Sequence, residues 1–209
     1  MTTLKRGSRG AEVKTLQGKL NLMADGIFGP LTEEAVKEFQ KRKGLKADGV
    51  VGAQTWAALG VVQGKRKIDE IILHCTATPE GEEFSNAQIK QSHLARGFSD
   101  IGYHYVIGLN GEVRPGRAEA IAGAHCTGHN MRSLGVCYVG GCPPRSIPNW
   151  QKSGKDTRTA AQGAALEKLV KELLRRYPGA TVHGHNEFAN KACPSFNVKR
   201  WLTQVGIKQ

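Results

Sequence analysis

The chain predicts two structural classes in succession, a small all-helical module over residues 1–60 and an α/β domain over residues 68–209. Three observations carry this. Up to Trp56, apolar residues recur at three- and four-residue steps. Beyond residue 67, apolar runs that suit buried strands alternate with capped amphipathic stretches. All seven His and all five Cys lie beyond residue 73, so metal-ligating and base-forming side chains belong to the second region alone. A length of 209 residues accommodates one small and one medium domain.

In the first region Val13, Leu16 and Leu20 set one helix, and Leu31, Ala35, Val36 and Phe39 a second. Ala53 to Leu59, with Trp56, makes a short third. Between them stand two turns with the same wording: Asp25-Gly26-Ile27-Phe28-Gly29 before Thr32, and Asp48-Gly49-Val50-Val51-Gly52 before Thr55. Asp-Gly favours a tight turn, and each Thr is expected to cap the helix that follows. The copies are 23 residues apart. Taken alone, such turns only stitch helices together, and a three-helix unit of this size is too small for a deep active site.

Residues 61–67 mix Gly with charge and read as a linker. Ile68 to His74 then suits a buried strand. Ser85 with Gln88 opens a helix to about Arg96 through a capping box. Tyr103 to Leu109 suits a strand, and Asn110-Gly111 is a hairpin turn into Glu112–Arg114. Leu134 to Val139 gives another strand, ending in Gly140-Gly141. Residues 142–158, rich in Pro, Ser and Lys, read as an exposed loop. Thr159 with Gln162 caps a long helix whose apolar face runs Leu166, Leu169, Val170, Leu173, Leu174 to Tyr177. Ala180–His183 is a short strand, and Val198–Val205 a final helix carrying Trp201.

Composition narrows the function. With 39% hydrophobic and 23% charged residues the chain is an ordinary globular protein, which excludes fibres and disordered tails. No apolar stretch approaches the ~18–20 residues of a membrane helix. The start, MTTLKRGSRGAEVK, has no apolar core after its basic residues, so no secretory signal peptide is expected. Thirty Lys and Arg against eighteen Asp and Glu give +12, spread along the chain. That excess implies a polyanionic partner, and nucleic acid, acidic lipid and anionic cell wall all qualify. Thirteen aromatics without basic interleaving argue against stacking on single strands, and no nucleic-acid recognition motif is present.

An odd set of five cysteines without an export signal favours thiols that react or bind metal over a disulfide framework. His74 closes a buried strand, and His185 and Cys193 flank a loop ending at Cys193-Pro194. Two His and one Cys suit a catalytic zinc, which takes three protein ligands and keeps a position open. Singly, each has a structural reading. Cys75, Cys126, Cys137 and Cys142 read as small core residues, and without a C-x-x-C pair a closed structural zinc site is not expected.

Wording across both regions resembles known families. Leu16-Gln17, Asp25-Gly26, Phe28-Gly29, Ala35-Val36, Phe39-Gln40, Gly44-Leu45, Asp48-Gly49, Gly52 and Thr55-Trp56 resemble the peptidoglycan-binding domain found beside many wall hydrolases. Ile71-Ile72-Leu73-His74-Cys75-Thr76-Ala77-Thr78, Gly102-Tyr103-His104-Tyr105, Gly135-Val136-Cys137, and His185-Asn186-Glu187 with Lys191-Ala192-Cys193-Pro194-Ser195 resemble the zinc N-acetylmuramoyl-L-alanine amidases. That family includes amidase-type phage lysozymes and peptidoglycan recognition proteins. The first resemblance covers about residues 4–60, the second about 68–202; residues 140–158 match no pattern of the family.

The resemblance implies a mixed central β-sheet flanked by helices, preceded by a three-helix wall anchor at 1–60. It implies one Zn2+ per chain on His74, His185 and Cys193, with Tyr103 and Lys191 as catalytic auxiliaries and His125 at a substrate-binding position. Many relatives carry Asp at the third ligand position, so Cys193 marks the lysozyme-like branch. His93, His104, His129 and His183 are expected to be structural or on the surface, and Glu187 a partner behind a ligand. The implied reaction cleaves the amide between the lactyl group of N-acetylmuramic acid and L-alanine. An anchor without an address signal points to a phage or prophage endolysin, made in host cytoplasm and acting on the wall after membrane breach. The expected partner is bacterial peptidoglycan, with a monomeric chain, no nucleic acid and no integral membrane association. A silent binder of wall fragments is the competing reading, which the presence of Cys193 disfavours.

Overall fold

The structure is a computed structural model of the chain in which residues 3–60 and 66–209 are described. It forms two compact units, Met1–Arg66 and Lys67–Gln209. Residues 61–65 of the expected linker lie outside the described residues.

The first unit holds α1 (Ala11–Lys19), α2 (Pro30–Arg42) and α3 (Ala53–Ala58). Val13, Leu16, Phe28, Val36, Val51 and Trp56 are fully buried in its core. Neither Thr32 nor Thr55 caps a helix as expected. Gly29 and Gly52 occupy the caps without side-chain bonds, and each Thr lies inside the following helix, turned inward. The reason is a buried glutamine. Gln17 Nε2 donates to Asp25 Oδ1 (2.7 Å), Thr32 Oγ1 (3.2 Å) and the Ile27 carbonyl (3.1 Å), and its Oε1 accepts from the Gly26 N–H (2.9 Å). Gln40 repeats the pattern on Asp48 Oδ1, Thr55 Oγ1, the Val50 carbonyl and the Gly49 N–H. Gly26 and Gly49 sit at φ +80° and +74°, where only glycine is unstrained.

The second unit is a mixed sheet, as the resemblance implied, in the order β4 (Val113–Pro115), β3 (Tyr105–Ile107), β5 (Ser133–Tyr138), β1 (Glu70–Cys75), β7 (Thr181–Gly184). Its other elements are β2 (Thr78–Pro79), α4 (Asn86–Ala95), β6 (Gly141–Cys142), α5 (Ala160–Arg176) and α6 (Val198–Gln204). β1 runs parallel to β5 and β7, β5 parallel to β3, and only β3–β4 is antiparallel. Every residue of β1 and β5 is buried, which is why these strands read as continuous apolar runs. Leu166, Leu169, Val170 and Leu173 of α5 cover one face with Trp201 and Leu202 of α6. Both capping boxes form. Gln162 also donates to the Ile107 and Val139 carbonyls, fastening α5 to the sheet.

Two expectations change. The strand expected over 103–109 is regular only from Tyr105 to Ile107, because the backbone at 102–104 bonds to Ala124, Arg117 and Gly135. The segment 142–158 is not uniformly exposed. Thr157 is buried and accepts from the Gly141 N–H (2.7 Å), and Arg145 and Lys155 pair with Glu82 and Glu80. Among the described residues no helix is long and apolar enough to cross a membrane.

Candidate active site

Parallel pairing creates the site. β7 runs alongside β1 as far as Leu73 opposite Gly184, so the next residue of each strand, His74 and His185, emerges at the same sheet end. His74 is 1% exposed, and its ring centroid lies 4.6 Å from that of His185. The loop that follows brings Cys193 Sγ to 3.6 Å from His74 Nδ1. The three ligand atoms all lie within 4.8 Å of one another. Glu187 shapes the turn, accepting from the Gly184 N–H (2.7 Å) and lying 3.3 Å from His183 Nδ1.

His74 has a second neighbour. Its Nε2 lies 3.0 Å from His125 Nδ1, and His125 is 8% exposed. The His125 loop is held by Asn130 Oδ1, which accepts from the His125 and Cys126 N–H groups. His104 serves the fold instead: its Nδ1 accepts from the Gly135 N–H (2.9 Å) and its Nε2 meets the Ile121 carbonyl (3.0 Å). His93 Nδ1 likewise accepts from the Gly102 N–H, and His129 sits 2.8 Å from the buried Glu70. The Tyr103 ring lies 5.2 Å from His74 and 5.2 Å from His93. A cavity of about 90 Å³ opens beside it, lined in part by Thr76, Gln88, Ser92 and Arg96. Another, of about 470 Å³, is lined by Asn186, Glu187, Asn197 and Lys199 among others.

Electrostatics keep the two histidines of the cluster in metal-binding form. Burial first, then the neighbouring His125 and His185, hold His74 well below the usual imidazole range. Burial and the Lys191 charge lower His185. Both rings are therefore neutral near pH 7, with lone pairs available. Burial, then the nearby Cys137, raises Tyr103 well above its ordinary value, so its hydroxyl keeps its proton. Lys191 is exposed at the mouth, and its charge reaches His74 as well. Sequence reading missed one neighbour: the Cys75 N–H donates to Cys193 Sγ at 3.3 Å, and the Cys75 thiol falls to about 7, chiefly through its bond with Cys193. The same bond with Cys75, then burial, pushes the Cys193 thiol well above its ordinary range, and the Cys75 N–H only partly opposes this, so Cys193 gives up its proton when a metal binds. Two neutral imidazoles and one thiol are a donor set that fits a zinc-type ion.

Fold and cluster together define an α/β protein with a candidate metal centre at the ends of parallel strands. Comparison with known proteins carries this further. Residues 64–196 match the N-acetylmuramoyl-L-alanine amidase family, and residues 9–59 match a putative peptidoglycan-binding domain. An endolysin of Escherichia phage T7 is 40% identical over 138 residues, 66% of this chain and 87% of that protein. An endolysin of Klebsiella phage KP32 is 38% identical, over 66% of this chain and 87% of its own. In structure, the amidase LysC from Clostridium intestinale superposes with a TM-score of 0.57 at 24% identity, covering 69% of this chain and 89% of its own. Drosophila PGRP-LB shares the fold at TM-score 0.51 and 22% identity, over 63% and 76%. The chain belongs to the N-acetylmuramoyl-L-alanine amidase family. It is a peptidoglycan amidase joined to a peptidoglycan-binding domain.

Proposed function

We propose that this chain is a phage or prophage endolysin whose amidase centre is one zinc ion held by His74, His185 and Cys193. The observation that supports it most strongly is the convergence of those three ligand atoms within 4.8 Å at one sheet end. A metal taken on His74 Nδ1, which faces Cys193, would leave the ring proton on Nε2, where it donates to His125 Nδ1. A ligand histidine whose second nitrogen is engaged in this way is fixed in tautomer and orientation. His125, expected at the substrate, is thus assigned to positioning His74.

A zinc ion bound there supplies Lewis acidity and a water acidified toward a pKa of ~7. The remaining chemistry belongs to side chains. Lys191 places a positive charge where the oxyanion of the attacked amide develops. Tyr103, kept protonated by burial, can donate to the substrate or orient the attacking water. The scissile bond is the amide between the lactyl group of N-acetylmuramic acid and L-alanine. Residues 1–60 serve as wall anchor, 61–67 as linker and 68–209 as catalytic domain. The chain acts as a monomer, without nucleic acid or integral membrane association. It is made in host cytoplasm and reaches the wall after membrane breach.

Digestion of purified sacculi tests this. The zinc-loaded chain should release new L-alanine amino termini and no new reducing sugar ends, and a chelator should stop it. New reducing ends, or full activity in chelator, would overturn the proposal.

A further inference from the structure

The two copies in the first unit are each other's control. Both build the same glutamine-centred turn, so a residue that differs between them at a surface position is not demanded by the scaffold. Met23, Ile27 and Leu31 are 87%, 42% and 78% exposed. They are three of the seven exposed large hydrophobics among the described residues, and they fall within nine positions. Twenty-three residues on, the second copy has Lys46, Val50 and Gln54. The apolar residues surround one turn: Met23 and Ile27 flank Asp25-Gly26, and Leu31 opens α2.

A basic group accompanies them. Lys14 lies over Gly26 as Lys37 lies over Gly49. In the second copy Lys37 is bound to Glu33 at 2.6 Å, whereas Gly10 stands at the equivalent place in the first. The first copy therefore presents exposed methyl-rich side chains beside a lysine whose carboxylate neighbour is Asp25 and which has no equivalent of Glu33. Three exposed apolar side chains around one turn mark an interaction surface.

We propose that this turn, Met23 to Leu31 with Lys14, is the face of the anchor that contacts the wall, and that its occupant is the stem peptide of peptidoglycan. This rests on the anchor reading above. The peptide is favoured over the glycan because the aromatic residues of the first unit, Phe28, Phe39 and Trp56, are all buried. No ring is offered for stacking on sugar. Alanyl methyl groups and free carboxylates of a stem peptide match apolar side chains beside a lysine.

The test gives the first copy the surface of the second: the triple variant Met23→Lys, Ile27→Val, Leu31→Gln in the full chain. Pelleting with sacculi is measured on ice over minutes, before digestion. The variant should pellet about tenfold or more weakly than the parent, with an unchanged melting curve. A soluble stem peptide should abolish the difference between parent and variant, and a chito-oligosaccharide should not. If the parent does not pellet at all, the anchor reading fails and this inference with it. If parent and variant pellet equally, this surface is wrong. Release by the oligosaccharide alone, or a parent dimer that the variant lacks, would assign the face to glycan or to a second copy and overturn the proposal.

Discussion

Gln40 of the first unit and His74 of the second are both buried polar side chains, yet they are satisfied in different ways. Gln40 spends its bonds on its own neighbourhood: two backbone groups and two side chains within fifteen residues. His74 bonds across 51 residues to another imidazole, while its other nitrogen faces a thiol and a third ligand atom. His104, in the same unit, behaves like Gln40, with both nitrogens on backbone groups. A buried polar residue closed off by backbone holds a fold together. One whose free valence converges with others on a common point is set for chemistry. The unit a residue belongs to does not decide the matter; the destination of its hydrogen bonds does.

The comparison can be broken by substitution. The largest effect is expected at the auxiliaries of the His74 cluster. Lys191→Ala and Tyr103→Phe should retain the metal and lose ~10²–10³ in rate, since donors aimed at a developing oxyanion contribute that much. The loss should fall on kcat more than KM, and steady-state kinetics with metal analysis of the same samples checks both. Normal kcat with metal in place would return these residues to packing roles.

A smaller effect is expected one shell out. His125→Ala should weaken zinc affinity ~10–100-fold, the usual cost of losing a ligand's orienting partner. Competition with a colorimetric chelator reads this directly. His104→Asn should instead lower stability with little change in affinity. Equal affinity loss in the two variants would erase the distinction drawn between them.

The smallest effect lies in the first unit. Gln40→Ala strands the Gly49 N–H and takes a donor from Asp48 and Thr55, a cost of about 1–3 kcal/mol. Calorimetry should show an earlier transition for that unit while zinc content stays unchanged. Metal loss in this variant would mean that the two units do not keep separate accounts of fold and chemistry.

Much of this was legible in the sequence, for identifiable reasons. Capping boxes at Ser85 and Thr159 are local and formed as read. The apolar runs of β1 and β5 announced buried strands, and their parallel pairing came from the structure. Thr32 and Thr55 misled, because a Thr after Asp-Gly looks like a cap until a glutamine on the preceding helix claims it. On a helix that glutamine reads as a solvated residue, and only the 23-residue repeat hints otherwise. The contacts of His74 with His125 and of Cys75 with Cys193 span 51 and 118 residues. No periodicity encodes such pairs; the order of strands in the sheet creates them.

X-ray absorption at the zinc edge of the loaded full-length chain tests the central claim most directly. The account predicts one sulfur at ~2.3 Å and two imidazole nitrogens at ~2.0–2.1 Å around one zinc per chain, with the sulfur lost in Cys193→Ala. A first shell without sulfur, or with two sulfurs because Cys75 has joined, would contradict it.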